Sequence, residues 1–251
     1  MNRELPAYYH SLGPFLQLFG EGLPILTYHH LGPRPGGVRL KGLYLGEKLF
    51  ARQLAELRAA GFTSGSLPSR VAPGENADRP VVLTFDDGFQ SVLQHGLMPL
   101  AENRFRGVLF LVADLLGKTN EWDMATGEVP ARLMDVAQVR DWLAEGHDIG
   151  SHTLSHPFLT KVSRAQAREE VRSSKAKLED VFGRCIRHFC YPYGDWNQEV
   201  RDLVAEAGYG TGCTTELGVN PRGTDPLALR RFTARYPSRK LKDLWRWLTG
   251  K

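Results

Sequence analysis

The stretch Val81-Val82-Leu83-Thr84-Phe85-Asp86-Asp87-Gly88 constrains this chain more than any other. Its apolar, β-branched start is the pattern of a strand buried on both faces, as in parallel sheets. It ends in two adjacent carboxylates and a glycine. Side chains alternate along a strand, so Asp86 and Asp87 face one way only if the chain turns there, which Gly88 permits. Two carboxylates at the end of a buried strand are costly unless a cation or hydrogen bonds compensate them. In α/β folds the carboxyl ends of the strands are where active sites are built.

A second cluster lies in Ile149-Gly150-Ser151-His152-Thr153-Leu154-Ser155-His156-Pro157. His152 and His156 are four residues apart and share a face in a helical turn, or in a loop that imitates one. Two imidazoles and one carboxylate make a three-ligand metal set with a position left for water. A second carboxylate beside it is placed to take that water's proton, which points to metal-assisted hydrolysis. A glycosidase needs its two carboxylates on opposing walls, roughly 5 Å or more apart, and adjacent residues on one turn fit that poorly.

Thr84-Phe85-Asp86-Asp87-Gly88, Ser151-His152-Thr153-Leu154-Ser155-His156-Pro157 and Tyr191-Pro192-Tyr193-Gly194 resemble, in order and spacing, the first three motifs of the polysaccharide deacetylases. This is carbohydrate esterase family four, the NodB-homology domain, and the similarity runs from about residue 24 to 232. The resemblance implies an α/β fold, a distorted (β/α) barrel of about seven strands. It implies a hydrolase that removes N-acetyl, or O-acetyl, groups from a sugar with a divalent metal, Zn2+ first, with Co2+, Ni2+ or Mn2+ as alternatives. By motif position Asp86 is the general base, Asp87, His152 and His156 are the ligands, and Tyr193 offers its backbone N–H at the oxyanion position. Many members carry an arginine where this chain has Cys190, and a histidine near the C-terminus, whereas this chain has none after His188. The branch with a Tyr-Pro-Tyr-Gly third motif and a Tyr-His near the first strand is closer. On that pattern Arg231, ahead of Arg230, is expected to pair with Asp86 in place of the missing arginine. His29 is read as a substrate contact or replacement acid, against a loop histidine bonded to backbone; His30 is read as solvent-facing. Trp122, Pro192 and Trp196 are the candidate sugar contacts, Trp122 against a plain rim residue. Competing functions are hydrolysis of another non-peptide amide or a cyclic imide, and non-catalytic glycan binding.

The 251 residues suit one barrel domain, 24–251, with 1–23 as a lead-in packed on it through Tyr8, Tyr9, Phe15, Leu16, Leu18 and Phe19. A net charge of +4 without a dense basic cluster argues against nucleic acid, and the resemblance implies an acetylated amino-sugar glycan or glycoconjugate as the partner. Three cysteines without disulfide or metal spacing are expected to be reduced and packed, and the N-terminus lacks a signal-peptide pattern, so a cytoplasmic location is expected. No run is long and apolar enough to span a bilayer. Pro68 to Pro80 reads as a surface loop. The stretch 238–248 reads as an amphipathic helix over the barrel bottom, with peripheral membrane contact as its alternative. His147 and Asp148 read as structural, and Ser163 with Gln166 as the capping box of a long charged helix.

Overall fold

The computed structural model describes residues 6–67 and 79–235. The reading of 238–248 as a membrane-touching or barrel-capping helix lies outside the described residues, as does 68–78 of the loop read over 68–80; Arg79 and Pro80 are not loop but open a strand. The strands are β1 (Ile25–Tyr28), β2 (His30–Leu31), β3 (Tyr44–Leu45), β4 (Phe62–Ser64), β5 (Arg79–Phe85), β6 (Gly107–Leu111), β7 (Asp148–Ser151), β8 (His188–Cys190), β9 (Thr211–Leu217) and β10 (Leu229–Thr233). The helices are α1 (Glu47–Ala59), α2 (Gln90–Glu102), α3 (Val136–Ala144), α4 (Arg164–Phe182) and α5 (Gln198–Glu206).

The sheet runs β1-β10-β9-β8-β7-β6-β5-β4, and β1 also pairs with β5. That last pairing closes seven parallel strands into a barrel, with β4 continuing the sheet along the first residues of β5. All barrel pairings are parallel, so each crossover returns outside the barrel, and the helices form an outer layer.

Strand periodicity divides the core in two. Ile25, Val82, Val108, Phe110, Cys190, Cys213 and Leu229 form the smaller cluster, which fills the barrel. Leu26, Leu83, Phe85, Leu109, Phe189 and Phe232 belong to the larger cluster between strands and helices. The barrel interior is narrow enough that glycine is required at places: a Cβ on Gly150 would meet the Phe110 ring at 2.5 Å and the His188 carbonyl oxygen at 2.8 Å.

Helix ends follow the sequence. Ser163 and Gln166 form the expected reciprocal box at the start of α4, and Asp135 with Gln138 forms another at α3. Gly183 closes α4 in the left-handed conformation. The lead-in does pack on the barrel through Tyr9, Phe15 and Phe19, which are stacked or tilted against one another, with Phe15 and Phe19 also against Phe232. Tyr8 and Leu16 are exposed, however: Tyr8 precedes Tyr9, whose bridge to Ala234 turns that ring inward, and Leu16 follows the first 3-10 turn, whose Phe15 faces the barrel. The cysteines are free, and Cys190 and Cys213 are packed, but Cys185 is exposed in the loop after α4.

His147 sits at the entry to β7, away from the barrel mouth. It stacks on Trp142 at 4.0 Å, and its Nδ1 accepts the Gly107 N–H at 3.2 Å. Burial lowers its pKa to about 4, with Arg106 adding to the shift. The folded pKa lies below the unfolded value of about 6.5, so the neutral ring stabilises the fold above that value and the contribution is lost as pH falls toward 4. Urea unfolding should therefore show stability declining by about 2 kcal/mol from this group between those limits. His147→Gln should show a shallower decline; an unchanged pH slope would remove His147 as its source.

Candidate metal centre and active site

The functional side chains prolong the inward-facing rows of the barrel strands. Val82 and Thr84 lead to Asp86, Gly150 to His152, Leu229 to Arg231, and Thr27 to His29. Past the last ladder pair each row emerges at the same mouth.

Asp86 and Arg231 form a buried, two-pronged ion pair. Arg231 Nη1 donates to Asp86 Oδ1 and Nη2 to Asp86 Oδ2, both at 2.8 Å. The guanidinium also donates to Thr84 Oγ1 at 3.0 Å and to the Thr214 carbonyl at 2.7 Å, so its charge is almost fully engaged. Burial works against the Asp86 charge, but Arg231, by its charge and hydrogen bonds, holds the carboxyl below its ordinary value. Cys190 lies beside the pair, with Sγ 3.1 Å from Arg231 Nη2. Burial raises its pKa to about 11, so it stays a thiol. Arg230, one residue earlier, points outward and is exposed.

Asp87, His152 and His156 converge beside this pair. Both imidazole Nε2 atoms lie 3.4 Å from Asp87 Oδ1, longer than a good hydrogen bond, and that oxygen is buried without a hydrogen-bond partner among the described residues. His152 Nδ1 is 2.7 Å from the Cys190 carbonyl oxygen, so it carries the proton and leaves Nε2 as a lone-pair donor. Three buried ligand atoms, Asp87 Oδ1 and the two imidazole Nε2 atoms, converge within 4.8 Å of one another, the set that a divalent cation with nitrogen and oxygen ligands requires. Asp86, His152 and Cys190 also come within ligand range of one another. Arg231 holds that space, and a cation there would face a guanidinium and an unionised thiol.

Of the two expected backbones at the histidine pair, a helical turn or a loop that imitates one, the structure has the loop. Asp87, Thr153, His156 and Tyr193 all have positive φ, at 72°, 69°, 67° and 59°. Asp87 itself, not Gly88 alone, makes the turn that brings both carboxylates to the mouth. The histidine turn is pinned by Glu170 on α4, which accepts the Leu154 N–H at 2.8 Å, the Ser155 N–H at 3.0 Å and the Ser155 hydroxyl at 2.5 Å. Thr153 Oγ1 accepts the His156 N–H at 3.0 Å. A second clasp joins this loop to the Tyr193 turn: Asp195 accepts the Thr160 N–H at 2.8 Å and its hydroxyl at 2.8 Å. Glu170 was hidden in the charged face of α4, where nothing in sequence separates it from solvated neighbours. Asp195 stands next to the third motif, which was its only signal.

The remaining candidates divide. His29 reaches the site, with Nε2 3.9 Å from Asp86 Oδ2. Trp122 lies over His156, ring centroids 4.4 Å apart. Tyr193 stacks on Phe158 at 3.9 Å and meets His156 edge-on at 4.5 Å. Pro192 is buried in its turn, and Trp196 packs toward Tyr191 with its N–H 3.2 Å from Glu216 Oε1. His30 is not solvent-facing: it is buried between the rings of Tyr44 and Phe89. The short β2–β3 pairing draws it inward.

Comparison with known proteins bears on this geometry. The family model described as Polysaccharide deacetylase matches residues 74–212, more than half of the chain. The chain belongs to this family. It is thereby a carbohydrate deacetylase. It is 25% identical over 216 residues to YxkH of Bacillus subtilis, covering 83% of this chain and 70% of that protein. It is 27% identical over 146 residues to the chitooligosaccharide deacetylase of a Bradyrhizobium species, covering 57% of this chain and 58% of that one. The Streptococcus pyogenes deacetylase PplD, solved with acetate, superposes with a TM-score of 0.72 at 22% identity over 90% of this chain and 97% of its own, which establishes the shared barrel.

Three substitutions test this polysaccharide deacetylase's architecture. Arg231→Met leaves Asp86 buried without its partner and should cost about 3–5 kcal/mol by urea unfolding, whereas Asp86→Asn combined with Arg231→Met should cost less than the single change. Additive losses would show that the two side chains are not coupled. Glu170→Ala should cost about 1–3 kcal/mol and speed hydrogen exchange at Leu154 and Ser155. Unchanged exchange at those two amides would mean that Glu170 does not hold the turn.

Proposed function

We propose that this deacetylase removes the N-acetyl group of an amino-sugar glycan by water attack at a divalent-metal site formed by Asp87, His152 and His156, with Asp86 as general base. The observation that carries the reading is the pairing of two unlike carboxylates. One lies between two imidazole nitrogens, each 3.4 Å away, without a hydrogen bond, and the other is kept ionised by a two-pronged arginine. A cation held there would polarise the acetyl carbonyl and lower the pKa of an attacking water. Zn2+ suits a set of two imidazoles and a carboxylate best, with Co2+, Ni2+ or Mn2+ as substitutes.

Asp86 accepts the proton of the attacking water, because Arg231 fixes its carboxylate in place and keeps it charged. The Tyr193 N–H, carried on its left-handed turn, serves the developing oxyanion. The departing amine then needs a proton. His29, 3.9 Å from Asp86, is the residue to relay it. Burial lowers its pKa against the pull of Asp86 and Asp87, so it starts neutral and is able to take the proton from Asp86 before giving it up. Trp122 shields His156 and offers its ring face to a sugar.

The relative from Bradyrhizobium is named for chitooligosaccharides, which makes acetylated chito-oligomers the first substrates to try. Purified protein should carry about one metal ion per chain and release acetate from these oligomers, with release abolished by chelator and restored by Zn2+. Asp86→Asn should keep the metal and lose roughly 100- to 10,000-fold in kcat. Turnover close to wild type in that variant would remove Asp86 from the role of base, and no metal uptake after reconstitution would sink the assignment of Asp87, His152 and His156.

A further inference from the structure

A cleft of about 160 Å3 is lined by His30, Tyr44, Gln90, Ser91, Gln94 and Arg132, with Pro33 and Pro35 also in its wall. His30 is 5% exposed, held between Tyr44 at 4.0 Å and Phe89 at 3.6 Å, and neither ring nitrogen has a protein partner among the described residues. Ser91 Oγ is likewise buried without a partner. The side-chain amides of Gln90 and Gln94 are also unpaired among the described residues. His30 and Ser91 thus carry polar atoms without a protein partner into the wall of the cleft, and the more open amides of Gln90 and Gln94 border it, a set of uncharged donors and acceptors suited to a polar ligand. The cleft adjoins the reaction centre, because Phe89, which stacks on His30, follows Asp87 by two residues, and its ring lies 6.5 Å from Trp122.

We infer that this cleft is a binding subsite for one neutral pyranose ring, the sugar next to the unit being deacetylated. A pyranose hydroxyl both donates and accepts, and so does a neutral imidazole, a primary amide or a serine hydroxyl. Burial keeps His30 neutral, lowering its pKa to about 3, so one ring nitrogen donates and the other accepts. The prolines and Tyr44 supply apolar surface for the C–H faces of the ring. Arg132 is the one cation of the lining, and uncharged groups outnumber it. The inference rests on the carbohydrate reading above and adds to it a preference for chain length.

Binding separates the subsite from catalysis. Chelator-treated full-length protein would be titrated calorimetrically with β-linked N-acetylglucosamine oligomers from the monomer to the pentamer, comparing wild type with Gln94→Leu and Ser91→Leu. Gln94 is exposed, so its replacement does not endanger folding if the Ser91 variant proves unstable. Wild-type affinity should rise about tenfold at the length that first fills the cleft, as two added hydrogen bonds would give. In the variants that rise should flatten. No rise in wild type, or an equal rise in Gln94→Leu, would overturn the subsite. A rise confined to uronic-acid oligomers would overturn the neutral-sugar assignment and put Arg132 in charge. Acetate release from the same oligomers by metal-loaded protein reads the deacetylase function separately. Length-dependent binding without release would count against that function and not against the cleft, whereas release without length-dependent binding would do the reverse.

Discussion

The ion pair between Asp86 and Arg231 is the interaction on which the rest of the mouth depends. A lone carboxylate at the top of an apolar barrel would be protonated or would destabilise the fold. A two-pronged guanidinium removes both problems only if its own remaining donors are satisfied, and here Thr84 Oγ1 and the Thr214 carbonyl satisfy them. The layering of the barrel follows from this. Below lies an apolar plug of Ile25, Val82, Val108, Phe110 and Leu229. Above it comes a polar layer in which Thr27, Thr84 and Arg231 prepare the dielectric for Asp86. Cys190 belongs to this layer as a small, uncharged neighbour that leaves room for the arginine to arrive from β10.

Strain is concentrated where chemistry is expected. Four of the non-glycine residues with positive φ are Asp87, Thr153, His156 and Tyr193, all in the three motif turns. Such conformations cost of order 1–3 kcal/mol each and persist only where surroundings hold them. Glu170 and Asp195 are those surroundings: one pins the histidine turn to α4, and the other ties its far end to the Tyr193 turn. The mouth is therefore one connected assembly of loops fixed by buried or half-buried carboxylates, on a scaffold whose strands are regular.

Much of this was legible in the chain, for identifiable reasons. Near-continuous apolar runs with glycine and proline punctuation marked the barrel strands, and a capping box marked α4. Asp86 and Arg231 were readable only through the motif pattern, and the structure supplies the physical reason: the inward row from Val82 through Thr84 reaches Asp86, and the row through Leu229 puts Arg231 inside and Arg230 out. His30 was misread because a histidine after a strand end looks solvated; its burial comes from two aromatic partners, one of them 59 residues away. Glu170 was illegible because its task is defined only by the tertiary approach of α4 to the turn. Tyr8, Leu16 and Cys185 show the converse error, in which apolar character was equated with packing.

The two adjacent aspartates show how environment alone separates identical groups. One peptide unit apart, they diverge because Asp87 turns left-handed while Asp86 keeps the inward direction of its strand. Asp86 then meets a fixed organic cation that it can never lose, so its charge is secured but its lone pairs are partly occupied. Asp87 meets only imidazole lone pairs, so it has an oxygen free for an exchangeable cation. Exchanging the two environments would spoil both: a metal beside Arg231 would be repelled, and a base among metal ligands would be a ligand itself. The division of labour is therefore set by which strand delivers the arginine, and β10 delivers it to one side of the mouth only.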